Sequence, residues 1–474
     1  MTIGKKEAYH TLTPHPSLEI FFEVFTFRST IGNCLEKLYK RFRTPYFGIF
    51  VLNKPYLVIK NPELIRSVLI TDFNYFRDRS TEADETCDPI VSQFLFVMKY
   101  PEWKPLRAKV TPVFTTAKIK NMLGLINEVA EEMKVYIETI LHADSVEAKE
   151  VCAKYTTDVI ATCAFGIKSH SFQHKDAEFR VIGRKMFEFN LRNAFCQSCY
   201  FMAPSLVKSL KFSFFDRSIY KFTREVFWAT LEERKKTNTK RNDIIDVINQ
   251  IRENSSSNDE IKFEGDRVVA QALMFYGAGF ETTSGAMSFA LYELCLHPTI
   301  QNKVREEIKL VLSRYGSITY EALQELKYMD MVLSETLRKY PALPFLDRIC
   351  VEDYKIPNTD VVIEKGTSIF IPVFGLHYDP DYYPDPEKFD PERFSEINKG
   401  SNPACCYLPF GDGPRICIGA KFGLMEIKIG LVRILSEFEV KRSVDTPVPI
   451  EFETKCLLVA SKVGLPMKFS RVTD

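Results

Sequence analysis

No run of about 18 apolar residues occurs anywhere in this 474-residue chain, so no segment of it reads as a transmembrane helix. The first residues, MTIGKKEAYHTLTPHP, lack the apolar core of a secretory signal. Neither charge sign is in excess. Sixty-three Lys and Arg face 62 Asp and Glu, a net charge of +1, and no nucleic-acid partner is expected from such a balance. Low-complexity tracts, internal repeats and long linkers are missing, which favours one large compact unit over the roughly three domains that length alone suggests. The 12 cysteines are scattered without a dense framework, as suits reduced thiols in a cytosol-facing protein. Cys196 and Cys199 form a lone CxxC with no second pair and read as ordinary thiols.

What is there reads in order as helices, then strands and a proline-rich meander, then one more helix. Residues 46–59 give two β-rich runs around the turn signal Asn53-Lys54-Pro55, and Asn61-Pro62 opens a helix with a capping side chain and a proline at its first position. From about residue 103 to 330 the pattern is mostly helical. ENSSSNDEIKFEGD (Glu253–Asp266) reads as a solvated loop, and the basic run ERKKTNTKRND (Glu233–Asp243) as an exposed one. Residues Asp266–Pro298 are apolar nearly all round, so this helix is expected to cross the interior. A helix containing SETLRKYP follows. Residues 377–394 carry too many prolines for a regular element, and a second apolar helix runs from about Gly419 to Phe438. The fold class is mainly α, an α-rich α+β chain. One domain is expected over 46–474, preceded by a 1–45 segment whose greasy patch Ile20–Phe27 is too short to span a bilayer.

The stretch FGDGPRICIGA (Phe410–Ala420) sets glycines and a proline around Cys417, just ahead of that last helix. Backbone N–H groups and the positive end of a helix stabilise a thiolate, and glycines let amides turn toward the sulfur. The site is therefore expected to keep the sulfur anionic, with Arg415 offering a permanent cation to a carboxylate. An isolated cysteine in a glycine turn is usually only a buried residue. Here five positions of FxxGxRxCxG are filled together, by Phe410, Gly413, Arg415, Cys417 and Gly419. The loop resembles the heme-ligand loop of the cytochrome P-450 family, the heme-thiolate monooxygenases. That resemblance implies a heme cofactor with Cys417 as the axial iron ligand, whose electron donation favours O–O cleavage. It also implies that Phe410 and Gly419 lie against the heme and that Arg415 pairs with a propionate.

Further motifs extend the likeness from about residue 46 to the C-terminus. AGFETT (Ala278–Thr283) sits midway along the central helix, where Gly277 and Gly279 weaken the helix and a threonine hydroxyl can take a carbonyl one turn back. Alone it is a weak signal. In context it resembles the family's oxygen-activation motif, with Glu281 and Thr282 as an acid–alcohol pair and small Ala278 leaving room over the iron. ETLR (Glu335–Arg338) is an i,i+3 ion pair of a kind common on helix surfaces. With Arg393 of PERF it resembles the family's structural triad Glu335–Arg338–Arg393. WKPLR (Trp103–Arg107) resembles a helix whose tryptophan and arginine meet a propionate, and Arg348 falls where the family places another propionate partner.

An apolar pocket is implied over the heme, walled by the 80–100 segment, Phe275, Ala278, Leu343, Leu346, Leu457 and Leu458. The texture of GFETTSGAMSFALYEL and FLDRICVEDYKIP looks most like the insect microsomal branch that oxidises plant toxins and insecticides. The implied activity inserts one oxygen atom from O2 into lipophilic substrates: xenobiotics, plant toxins, insecticides, and endogenous lipids or hormones. Electrons come from an NADPH-consuming reductase carrying FAD and FMN, with cytochrome b5 as an additional partner. Lys104, Lys109, Lys118, Lys120 and Lys421 are candidates for the reductase dock, although any one of them is more simply a solvated lysine. The implied place is the cytoplasmic face of the endoplasmic reticulum, yet the apolar anchor and proline hinge of microsomal members are missing from this chain. Ala194–Phe215 mixes aromatic, aliphatic and lysine residues as interfacial segments do and is expected to dip into the bilayer. Two other readings compete: a reductase-independent heme-thiolate isomerase or dehydratase, against which the intact Glu281–Thr282 pair argues, and a non-catalytic heme or lipophile binder.

Overall fold

The long apolar run becomes one continuous helix, Asp266–Leu296, about 46 Å long at the α-helical rise. The computed structural model describes residues 22–472 apart from 53, 242, 255–262 and 399. Positions 1–21, with most of the N-terminal reading, therefore lie outside the described residues, as do Asn53 of the expected turn and 255–262 of the expected solvated loop. About three quarters of the residues of the central helix are buried, because other helices pack around most of it. The closest neighbour is Ala148–Ile160, with Glu178–Phe187, Arg217–Thr237, Lys327–Lys339 and Ala420–Leu435 around them. Gly277 and Gly279 let these neighbours approach: a Cβ at the first would meet the Met186 methyl at 2.7 Å and at the second Ile160 at 2.8 Å.

The β structure lies to one side. Tyr46–Val51 and Lys54–Ile59 form a hairpin, and Lys54–Ile59 pairs in parallel with Ser368–Ile371, which pairs antiparallel with Leu346–Ile349. Strict alternation of buried and half-buried residues along Tyr46–Val51 follows the pleat. Asn61 caps the helix Pro62–Arg66, its side-chain oxygen accepting from the Leu64 amide at 2.9 Å. The helix Ile31–Arg41 packs on Val373–His377 and ties down through the Tyr39 hydroxyl, which donates to Asp379 at 2.5 Å.

Two regions differ from their sequence reading. The last helix, Ala420–Leu435, is not the final element: Phe438–Arg442 pairs with Pro466–Arg471, which also pairs with Val146–Glu147. The basic run Glu233–Asp243 is an exposed loop only in its second half. Its first half is the end of the helix Arg217–Thr237, closed by Asn238 in the left-handed conformation. Arg234 is buried there, held by Asp243 and Asp246 at 2.5 Å each. A guanidinium flanked by two carboxylates is compensated inside the protein, which a run of like charges in the sequence conceals.

Candidate functional site

Cys417 opens onto a cavity of about 400 Å³ between the cysteine loop and the central helix. The loop reaches this position through two glycines with positive φ, Gly411 and Gly413, and a short 3-10 turn, Gly413–Arg415. Gly413 fits only as glycine. Its φ is +72°, and a Cβ would overlap the carbonyl oxygen of Leu69 in the turn Ser67–Thr71. The Cys417 amide donates to Phe410 O at 2.9 Å, closing the loop on itself.

The electrostatics of the sulfur depart from expectation. Burial pushes the Cys417 thiol up from its ordinary pKa; the amides of Gly419 and Ala420 and the cations Arg107 and Arg79 pull the other way without prevailing. These groups partly compensate an anionic sulfur, and a bound cation would favour it further.

Beside the sulfur lies a cluster of buried charge. Arg79, Arg348 and Arg415 face two buried carboxylates, Asp78 and Asp347, with Lys99 and Arg107 half-buried alongside. Asp347 accepts from Arg79 at 3.0 Å and from the Ser80 hydroxyl and Thr81 amide. Although burial acts to raise it, Arg79 and these donors hold its carboxyl well below the usual range. Arg415 donates to Arg77 O, Met98 O and Asp78, and its guanidinium lies 4.3 Å above the Trp103 ring. Burial and the neighbouring Arg79 push both Arg348 and Arg415 down to about 9. Among the described residues, Arg348 Nε and Arg415 Nη1 are buried with no hydrogen-bond partner.

The expected residues are sorted by this geometry. Trp103, Arg107, Arg415, Phe410 and Gly419 line the cavity, and so do Ala278, Phe275, Leu343, Leu346, Leu457 and Leu458. Arg348 is not on the wall; it stands behind Asp347, whose backbone carbonyl it holds at 2.7 Å, and Arg79 occupies the wall instead. Thr282 lines the cavity and donates to Ala278 O at 2.7 Å. Glu281 does not reach it. Neighbours on a helix point about 100° apart, and Glu281 turns outward to Lys149 Nζ at 2.9 Å. Glu335, Arg338 and Arg393 do meet: Arg338 grips Glu335 bidentately at 2.7 and 2.8 Å, and Arg393 Nε stands 3.5 Å away.

Sequence reasoning missed three contributors. Arg79 and Asp347 are 268 positions apart, in FRDRS and FLDRIC, and no local pattern joins them. His377 links the triad to the loop: its Nδ1 lies 2.9 Å from Arg338 O, and its Nε2 accepts from the Leu408 amide at 2.9 Å. These partners fix the neutral tautomer with Nδ1 protonated, and burial pushes the imidazole down to about 3.

A family model for cytochrome P450 matches residues 12–467. Similar proteins include cytochrome P450 6k1 of Blattella germanica, 41% identical with 100% of this chain and 93% of the relative aligned. A probable cytochrome P450 6a13 of Drosophila melanogaster is 40% identical over 91% of this chain and 87% of its own. Cytochrome P450 9e2 of Blattella germanica is 37% identical, with 89% and 84% aligned. The residues present suit a heme. An iron porphyrin brings a cation to the sulfur and two carboxylates to the arginine cluster, where the orphaned Arg415 Nη1 and the surplus of buried positive charge call for anions. With family, cavity and charge in agreement, the chain belongs to the cytochrome P450 family and is a heme-thiolate monooxygenase that takes a small-molecule substrate, O2 and electrons from a redox partner.

Proposed function

We propose that this protein oxidises lipophilic xenobiotics, plant toxins and insecticides among them, at the cytoplasmic face of the endoplasmic reticulum. Its electrons come from an NADPH-dependent reductase carrying FAD and FMN, with cytochrome b5 as an auxiliary donor. The observation that carries the substrate class is the cavity wall. Phe94, Phe96, Phe201, Phe214, Phe215 and Phe275 stand along it with Leu343, Leu346, Leu457 and Leu458. Such a wall gains by removing apolar surface from water and offers few polar anchors.

A heme held by Cys417 would supply the activation of dioxygen, which thiolate donation favours. The chain's own groups do the rest. Arg79, Arg107 and Arg415 would hold the propionates, Trp103 keeps the Arg415 guanidinium in place, and Arg348 adds positive charge behind them. Phe410 and the Gly419 amide shield and orient the sulfur. Small Ala278 on the cavity wall would leave space for a bound heme. Thr282, whose hydroxyl donates to Ala278 O at the cavity face, would be placed to relay a proton there. Glu281 joins that relay only by leaving Lys149.

The reductase docks on the lysine side. Lys104 and Lys421 are exposed there, while Lys120 already holds Glu321 at 2.6 Å and lies over Tyr320, so it contributes less charge. Membrane contact comes through Ala194–Phe215, where just under half the residues are buried and Phe195 and Leu210 are exposed, next to exposed Phe189 and Leu191. Among the described residues no helix is long and apolar enough to cross a membrane.

The decisive experiment supplies the holoprotein with NADPH, the reductase and a panel of lipophilic toxins and insecticides. Substrate-dependent NADPH consumption with products one oxygen heavier is the expected result. Rearranged products formed without NADPH would establish an isomerase instead.

A further inference from the structure

Several polar groups on the cavity wall are committed to protein partners. The Tyr200 hydroxyl lies 3.0 Å from Asp88 and 3.2 Å from Phe212 O, Thr282 donates to Ala278 O, and Thr81 donates to Asp347. Gln197 is different. It sits on the helix Leu191–Met202, only 6% exposed, and lines the cavity. Its Oε1 accepts from the Leu457 amide at 3.0 Å. A backbone N–H can only donate, so this contact fixes the orientation of the side-chain amide and leaves Nε2 as the free end. Nε2 makes no hydrogen bond among the described residues, and the surrounding wall of Phe201, Leu457 and Leu458 offers no acceptor side chain.

We propose that Gln197 Nε2 donates a hydrogen bond to the substrate, so that the protein selects lipophilic molecules bearing an accepting oxygen: a ketone, ester or ether. This rests on the reading of the cavity as a lipophile site and narrows it. A buried donor with no protein partner discriminates strongly, because a ligand lacking an acceptor strips its water and returns nothing. The Leu457 contact adds precision. It joins the helix to the C-terminal loop across the cavity and holds the amide in one rotamer, so binding costs little ordering.

Benzophenone and 1,1-diphenylethylene have nearly the same shape and differ in C=O against C=CH2, so they isolate the acceptor. Their dissociation constants are measured by optical titration of the holoenzyme, wild type and Gln197→Met. The alkene-to-ketone ratio of Kd is expected to be roughly three- to tenfold higher in the wild type, the worth of one neutral hydrogen bond. In the wild type alone, the infrared carbonyl stretch of bound benzophenone is expected below its position in hydrocarbon solvent, a readout that does not require the variant to fold. An unchanged ratio, equal weakening of both ligands by Gln197→Met, or a carbonyl stretch at the hydrocarbon position overturns the proposal. If neither compound binds the wild type, the lipophile reading falls and this narrowing falls with it.

Discussion

The two walls of the cavity are built on opposite principles. The wall around Cys417 is dense with charge: Arg79, Arg415, Asp78 and Asp347 are buried together, and His377 joins the cysteine loop to the Glu335–Arg338 pair. The wall formed by the 80–100 segment, the helix Leu191–Met202 and Phe214–Phe215 is aromatic, its rings meeting edge-on or tilted, as Phe96 with Phe201 at 5.9 Å and Phe214 with Phe215 at 4.7 Å. Buried charges tolerate little movement because each depends on its partners, whereas apolar contacts are non-directional and can be rearranged at modest cost. The first wall is suited to one fixed cofactor and the second to many guests.

The comparison can be broken most decisively at the sulfur. Cys417→Ser is expected to abolish the red-shifted Soret band of the reduced carbon-monoxide complex and to reduce NADPH-dependent turnover to background. Arg338→Met comes next. It leaves the buried Glu335 carboxylate with Arg393, at 3.5 Å, as its ion-pair partner, at a cost of up to about 3–5 kcal/mol, and should appear as heme loss and a lowered unfolding midpoint. A charged-wall residue that could be removed without either effect would erase the contrast.

His377 sharpens it through pH. Its folded pKa is about 3, below the ordinary value of 6.5, so the unfolded chain binds the extra proton between these limits. Stability from this group is complete above pH 6.5 and declines as pH falls toward 3, by up to about 1.4 kcal/mol per unit. Denaturant unfolding of wild type and His377→Gln at several pH values should show that slope in the first and its reduction in the second. The smallest effect is expected on the aromatic wall. Phe201→Ala should shift substrate affinities by roughly tenfold in either direction according to ligand size, with the carbon-monoxide spectrum unchanged.

How legible each part was follows from how far its interactions reach. The cysteine loop could be read because five of its determinants lie within ten positions, and the central helix because its burial is written as continuous apolarity. The pairing of Phe438–Arg442 with Pro466–Arg471 could not, since nothing local announces which strand a run will meet. The charged cluster joins residues hundreds of positions apart, and sequence order cannot report such distances. Glu281 misled for the opposite reason: adjacency to Thr282 suggested partnership, while helical rotation sends the two side chains to different surfaces.

Gly413 rests against the carbonyl of Leu69 so tightly that no larger residue fits. The height of the thiol is thus gauged from a floor lying more than three hundred residues upstream. Transplanting Phe410–Ala420 alone into another helical scaffold would leave that floor behind. The portable unit is the loop together with Ser67–Thr71, and a graft carrying both segments has the geometry to seat its sulfur.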